Sequence, residues 1–102
     1  MEITQELLQE KINKGEKLVV DFYTDWCNPC SIMKPIFEKV SEQFRNENSE
    51  VQLYTMNVEK NRDIAAKYGI RAVPTIKSFN NRFSRTKSGS SLFSNLLLLS
   101  LI

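Results

Sequence analysis

The sequence contains no histidine, and its 102 residues include only two cysteines, three glycines and three prolines. Without histidine, the chain lacks the imidazole used in general-base catalysis, in many metal sites and in catalytic triads. Two cysteines allow at most one disulfide, which is too few for a small secreted domain held together by disulfides. The length fits one domain, so residues 1–102 are predicted to form a single domain that contains all of the chemistry.

Acidic residues are absent from the last third of the chain. Residues 1–63 carry 12 acidic and 8 basic side chains, whereas residues 64–102 carry 6 basic side chains and no acidic one. These basic residues occur singly with few aromatic residues between them, which favours a solvated surface over a nucleic-acid site. We therefore predict no nucleic-acid partner.

Long apolar runs are missing as well. Residues 1–10 lack the basic start and apolar core of a secretory signal, which predicts a cytoplasmic protein. The leucine cluster at residues 96–102 is shorter than the roughly 20 residues that cross a bilayer, so no membrane span is predicted.

The spacing of apolar residues predicts helices that alternate with strands. The predicted order is a helix from the N-cap Thr4 to Gly15, a strand at 18–23, a helix to about Asn46, a strand at 51–56, a helix at 61–68, a strand at 73–79, a weak strand at 83–87 and a last helix after Gly89. Two strands that flank a helix pair in parallel through a right-handed crossover. The pattern therefore predicts an α/β fold in which helices cover both faces of a small mixed sheet.

The two cysteines lie in the segment Trp26-Cys27-Asn28-Pro29-Cys30, at the predicted start of the long helix. Their spacing puts the two sulfur atoms one helical turn apart, within bonding reach. At the open helix N-terminus, unpaired N–H groups and the helix dipole lower the pKa of the first thiol. Cys27 is therefore predicted to attack as a thiolate, and Cys30 to resolve the mixed disulfide. Pro29 suits the first helical position.

Two other interpretations of the cysteine pair are half of a zinc site and a pair of inert core thiols. A tetrahedral zinc site needs four ligands, and here only carboxylates or a second chain would complete it. The neighbouring tryptophan and proline are not typical of inert core cysteines. We predict no metal site.

Asp21 interrupts the apolar strand at 18–23, six residues before Cys27. Burial disfavours an ionised carboxylate, so the pKa of Asp21 is predicted to be raised and its side chain to hold a proton near neutral pH. Such a group suits proton transfer. The alternative is an aspartate that faces water from an edge strand.

Three segments together resemble the thioredoxin family: residues 19–30 with the paired cysteines, residues 33–35, and residues 67–75 with Val73-Pro74. The resemblance extends over roughly residues 18–79 and is far more specific than a cysteine pair by itself. It implies the thioredoxin fold, a central mixed sheet of four to five strands flanked by helices on both faces. It further implies that Asp21 exchanges a proton with Cys30.

The resemblance also implies how substrates bind. The family pattern calls for a cis Val73-Pro74 bond, whereas propensity by itself predicts trans, because only about 5–6% of X-Pro bonds are cis. A cis bond leaves the Val73 backbone free to pair with an extended substrate segment. The implied apolar docking surface consists of Trp26, Ala72, Val73, Pro74 and Gly89. For Trp26, plain core packing is the alternative.

Several features depart from the family pattern. Asn28 replaces the usual glycine and, with Pro29, is expected to tune the redox potential. Thr55 replaces the lysine that commonly neighbours the buried acid, so proton transfer through Asp21 is expected to differ. The usual first strand is shortened to residues 1–3 at most. Leucines on both sides of the predicted last helix indicate a second burial surface, for which self-association, membrane-surface contact and an altered terminus are the explanations.

The sequence therefore predicts a thiol–disulfide oxidoreductase that reduces protein disulfides without a bound cofactor. By resemblance, its electrons come from NADPH through thioredoxin reductase, and its substrates are disulfide-containing proteins. A thioredoxin-fold binding module, a glutaredoxin-like enzyme that uses glutathione and an oxidant with a shifted potential are the alternatives.

Overall fold

The computed structural model describes residues 1–79 in full and, of the remainder, the backbone of residues 84–88. The elements in chain order are α1 (Gln5–Asn13), β1 (Leu18–Tyr23), α2 (Asn28–Asn46), β2 (Gln52–Asn57), α3 (Arg62–Lys67), β3 (Thr75–Phe79) and β4 (Ser84–Ser88). The first helix begins as predicted, because the Thr4 hydroxyl oxygen accepts a hydrogen bond from the Leu7 N–H at 3.2 Å. Gly69, with φ of +69°, ends the segment that contains α3.

The four strands form one mixed sheet in the order β2-β1-β3-β4. β1 pairs in parallel with β2, as the predicted crossover requires, and antiparallel with β3. β1 therefore lies in the interior of the sheet, and its first five residues are buried. The edge-strand interpretation of Asp21 is wrong, because a paired strand lies on each side of it.

Helices cover both faces of the sheet, as predicted. Val19 of β1 and Ile76 of β3 pack against Met33 and Phe37 of α2 on one face. On the other face, Val20 and Phe22 pack with residues of α1 and α3, among them Leu8 and Ile64. The alternation of side chains along β1 puts Asp21 on the α2 face, where the cysteine pair lies.

The segment before α1 forms a single bridge rather than a full strand. Glu2 bridges Thr55 in parallel, with the Ile3 N–H donating to the Thr55 carbonyl oxygen and the Thr55 N–H donating to the Met1 carbonyl oxygen, each at 2.9 Å. The predicted shortening of the first strand to residues 1–3 is confirmed, and the bridge brings Glu2 to the edge of β2.

Several predicted element boundaries move by one or two residues. β2 begins at Gln52 rather than at 51, and β3 begins at Thr75 because the segment before it holds Pro74, which has no N–H for a strand ladder. The Val73–Pro74 peptide bond is cis, in agreement with the resemblance and against propensity. The predicted last helix, its leucines and Gly89 lie outside the described residues, so self-association stays a prediction.

Candidate active site

The cysteine pair lies where β1 gives way to α2. Cys27 is the N-cap residue of α2, with extended backbone angles, and its Sγ accepts a hydrogen bond from the Cys30 N–H at 3.1 Å. Asn28 is the first helical residue and Pro29 follows it, one position later than predicted for the proline, and both side chains are exposed. A sulfur in this position faces the free N–H groups of the helix, which stabilise a thiolate.

Cys27 and Cys30 are joined by a disulfide, and their Cα atoms are 5.1 Å apart. The two sulfur atoms are therefore within bonding reach, as the spacing predicted. Cys30 is only 5% exposed, whereas Cys27 is more accessible. Because a substrate sulfur must reach the attacking thiol, this asymmetry favours the first cysteine for that step.

Asp21 is buried, with 2% of its surface exposed. Its Oδ1 atom has no hydrogen-bond partner among the described residues. Burial, and secondarily the negative charge of Glu2, raise the pKa of Asp21 to about 7. The predicted raised pKa is thus confirmed, and near neutral pH this carboxyl group populates both protonation states.

A cavity of about 160 Å³ lies against both this aspartate and Cys30. It is lined by Glu2, Asp21, Tyr23, Thr24, Asp25, Cys30, Ser31, Lys34 and Thr55. Cys30 contributes to this cavity and Cys27 does not. A cavity of this volume has room for water next to the polar side chains on its wall.

Trp26 lies outside the core, with 78% of its surface exposed, so core packing is the wrong interpretation of this residue. Ala72 is exposed and Val73 is half-buried, whereas Pro74 is buried. The Thr75 hydroxyl donates to the Ala72 carbonyl oxygen at 2.6 Å and closes this turn. Phe22 of β1 pairs with Thr75, so the cysteine segment and residues 72–74 meet at the same end of the sheet.

Glu2 is the cavity residue that sequence patterns do not reveal. The Tyr23 hydroxyl and the Thr55 hydroxyl donate to its Oε1 at 2.8 and 2.9 Å, and the Asn57 N–H donates to its Oε2 at 3.0 Å. Thr55, which departs from the family pattern, is 53 positions away in sequence. No local pattern predicts such a contact.

Comparison with known proteins identifies the family. The family model described as Thioredoxin matches residues 1–96. A thioredoxin of Rickettsia bellii is 36% identical over 80 residues, 78% of this chain and 73% of that protein. A thioredoxin of Buchnera aphidicola is 38% identical over 82 residues, 79% of this chain and 73% of that protein.

The fold agrees with this assignment. The solved thioredoxin of Malassezia sympodialis superimposes with a TM-score of 0.78 at 29% identity, covering 93% of this chain and 87% of that one. In the part of the chain that the structure describes, no helix is long and apolar enough to cross a membrane. With its cysteine pair at disulfide distance on the thioredoxin fold, the chain belongs to the thioredoxin family and is a thiol–disulfide oxidoreductase.

Proposed function

We propose that the protein reduces disulfides in other proteins, with Cys27 as the nucleophile and Cys30 as the resolving thiol. The observation that carries the proposal is the position of Cys27 at the N-cap of α2, more accessible than its partner and close to the free N–H groups of the first turn. Such an environment lowers the pKa of a thiol and supplies the thiolate that exchange requires.

The reaction begins when the Cys27 thiolate attacks one sulfur of the substrate disulfide. A bond forms between Cys27 and that sulfur, and the other substrate sulfur leaves as a thiolate that takes a proton from water. Cys30 then loses its proton and attacks the Cys27 sulfur. This step forms the Cys27–Cys30 disulfide, releases the second substrate thiolate and completes the transfer of two electrons to the substrate.

Asp21 is the proposed acceptor of the Cys30 proton. It lines the same cavity as Cys30, has an oxygen without a hydrogen-bond partner among the described residues, and has a pKa of about 7. A proton acceptor works best when its pKa lies near the working pH, because both protonation states are then accessible. The proton returns to solvent before the next cycle.

The electron source and the cellular compartment are also part of the proposed function. The two cysteines carry the electrons, so the protein needs no bound cofactor, and NADPH supplies them through a thioredoxin reductase. A dithiol that must be regenerated in each cycle suits a reducing compartment, for which we propose the cytoplasm. The chain acts as a single thioredoxin domain, an assignment supported by the match over residues 1–96.

The redox potential tests the direction of the reaction. We expect the Cys27–Cys30 couple to be more reducing than about −230 mV, the lower end for glutaredoxins, and to approach the value of about −270 mV that is typical of thioredoxin. The protein is equilibrated in buffers with graded ratios of reduced to oxidised glutathione. After thiol alkylation, mass spectrometry gives the fractions of oxidised and reduced protein. A potential near about −120 mV belongs to oxidants and contradicts a reductase role.

We also propose that Trp26, Ala72 and Val73 form the accessible part of the docking surface, with Pro74 supporting it from below. Replacing Trp26 by alanine removes the largest exposed apolar side chain next to Cys27. We expect KM for a protein disulfide to rise about tenfold, equivalent to about 1.4 kcal/mol, with kcat unchanged. Steady-state reduction of insulin measures both constants.

The matched control for the docking surface is Leu7→Ala. Leu7 is an exposed apolar residue of α1, which packs on the opposite face of the sheet from α2. This variant is expected to keep the parent KM. An equal rise in KM for both variants, or a loss confined to kcat in Trp26→Ala, rules out substrate docking at Trp26.

A further inference from the structure

The cavity that contains Asp21 and Cys30 has a second carboxylate, Glu2, on its wall. The two acids reach the cavity from different parts of the sheet. Asp21 lies in the middle of β1, and Glu2 precedes α1 and bridges the edge strand β2. Their negative charges act on each other, since the Glu2 charge contributes to the raised pKa of Asp21. Glu2 takes no part in the exchange steps proposed for Cys27, Cys30 and Asp21.

Three hydrogen bonds hold the Glu2 carboxylate in place. The Tyr23 and Thr55 hydroxyls donate to one oxygen, and the Asn57 N–H donates to the other. A surface glutamate without such partners rotates freely, and its charge is averaged over many positions and screened by solvent. Glu2 is also exposed to solvent, but its three hydrogen bonds keep the charge in one position at the cavity wall.

Other ionisable groups also face Asp21. Tyr23 extends from the same strand, Asp25 follows it in the loop, and α2 contributes Lys34 and Cys30. The Tyr23 hydroxyl is occupied as a donor to Glu2, which is one reason why its pKa is raised to about 12 after the larger effect of burial. Among these charged side chains, Glu2 is the one whose charge contributes to the raised pKa of Asp21. Lys77 of β3 pairs with Val20 and so belongs to the other face.

We propose that Glu2 is a positioning residue for the reaction: its fixed carboxylate sets the pH range over which Asp21 takes the proton from Cys30. This inference rests on the proposed role of Asp21 as proton acceptor. A negative charge held near a buried acid favours its protonated form, because ionisation of Asp21 would place a second negative charge close to the first. Glu2 thereby makes Asp21 the stronger base and delays its ionisation to higher pH.

Glu2→Gln tests the charge with little change of shape. The amide oxygen can accept from the Asn57 N–H while the amide NH2 donates to the two hydroxyl oxygens, which rotate to receive it. The assay forms a mixed disulfide between Cys27 and a chromogenic aromatic disulfide, then follows release of the second chromophore as Cys30 attacks. The rate is recorded from pH 5 to pH 9.

In the parent we expect the rate to rise with pH about a midpoint set by Asp21. In Glu2→Gln that midpoint moves to lower pH by roughly half a unit, which makes resolution roughly threefold faster below the midpoint and changes it little above pH 8. Glu2→Asp keeps the charge but weakens the hydrogen bonds that hold it in place, and is expected to shift the midpoint clearly less than Glu2→Gln does. Glu42→Gln, which removes an exposed charge from α2 outside the cavity, is the matched control and is expected to keep the parent midpoint.

The outcomes separate Glu2 from Asp21. If Asp21→Asn abolishes the rise with pH while Glu2→Gln leaves the midpoint unchanged, Asp21 is the acceptor and the role of Glu2 is wrong. An equal shift in Glu2→Asp and Glu2→Gln assigns the effect to the hydrogen bonds and also overturns the inference. If the rise persists unchanged in Asp21→Asn, the proposed acceptor fails, and the role of Glu2 fails with it.

Discussion

Replacing Cys27 by serine is expected to abolish protein-disulfide reduction, leaving only the uncatalysed rate. A serine hydroxyl does not ionise near neutral pH and forms no bond to sulfur under these conditions, so the first step of the exchange is lost. Cys30→Ser also stops turnover, but for a different reason, because the first step proceeds and the mixed disulfide is not resolved. Reduction of insulin by dithiothreitol with catalytic protein measures both losses.

The controls for this pair separate catalysis from binding. Glu42→Gln changes an exposed side chain of α2 and is expected to reduce insulin at the parent rate. It controls for losses of activity caused by mutagenesis and purification. A binding module that holds partners without exchange would show no reduction by the parent, and partner affinity would be the same in the parent and in both cysteine variants. That pattern would contradict an exchange mechanism.

Replacing Asp21 by asparagine is expected to stabilise the oxidised protein and to slow its reaction. In the folded chain the pKa of Asp21 is about 7, compared with a reference value of 3.8. As pH rises from about 4 to about 7, the unfolded chain has released this proton while the folded chain still holds it. The free energy of unfolding therefore falls through that range.

The size of this effect follows from the same two values. The difference of about three pKa units corresponds to about 4 kcal/mol in the free energy of unfolding. The parent has lost this stability once the pH exceeds 7. Asparagine has no proton to lose, so the stability gain of Asp21→Asn over the parent should grow by about 2–3 kcal/mol between pH 5 and pH 8. Urea unfolding of the oxidised proteins at these two pH values measures the difference. A gain that does not depend on pH would mean that Asp21 is not the group with the raised pKa.

The kinetic part of the Asp21 prediction concerns the second step alone. Without the carboxylate, Cys30 must lose its proton to solvent, and we expect its attack to slow by about 10²-fold at pH 7. The first attack by Cys27 should keep its rate, because that sulfur does not line the cavity. Stopped-flow measurement of the two thiol releases separates the steps. Equal slowing of both would assign Asp21 a general structural effect.

Local patterns predicted most of the fold. The run of β-branched and aromatic residues in Leu18–Tyr23 predicted the interior strand, and the apolar spacing from Ile32 to Phe44 predicted α2. Met33, Phe37 and Phe44 of that repeat are buried, whereas Ile32 is 64% exposed. These signals are reliable because burial on a sheet or along a helix imposes a fixed period. The cis Val73–Pro74 bond has no such signal, since it depends on tertiary contacts, and only the family resemblance pointed to it.

The site was predictable in its chemistry and only partly in its geometry. The spacing of Cys27 and Cys30 together with a helix N-terminus identified the reactive pair, and Asp21 was marked by its apolar neighbours. Exposure of Trp26 could not be derived from its own chemistry, because tryptophan packs in cores as readily as it docks substrates. The place of Glu2 beside Asp21 depends on pairing between distant segments, which no local pattern encodes.

Trapping the covalent intermediate tests the central claim most directly. The Cys30→Ser variant, reduced and then mixed with a disulfide-containing protein, should form a mixed disulfide that dithiothreitol breaks. Non-reducing digestion and mass spectrometry should find the substrate cysteine joined to the peptide that contains Cys27. Absence of any covalent complex in Cys30→Ser, while the parent reduces the same substrate, would contradict attack by Cys27.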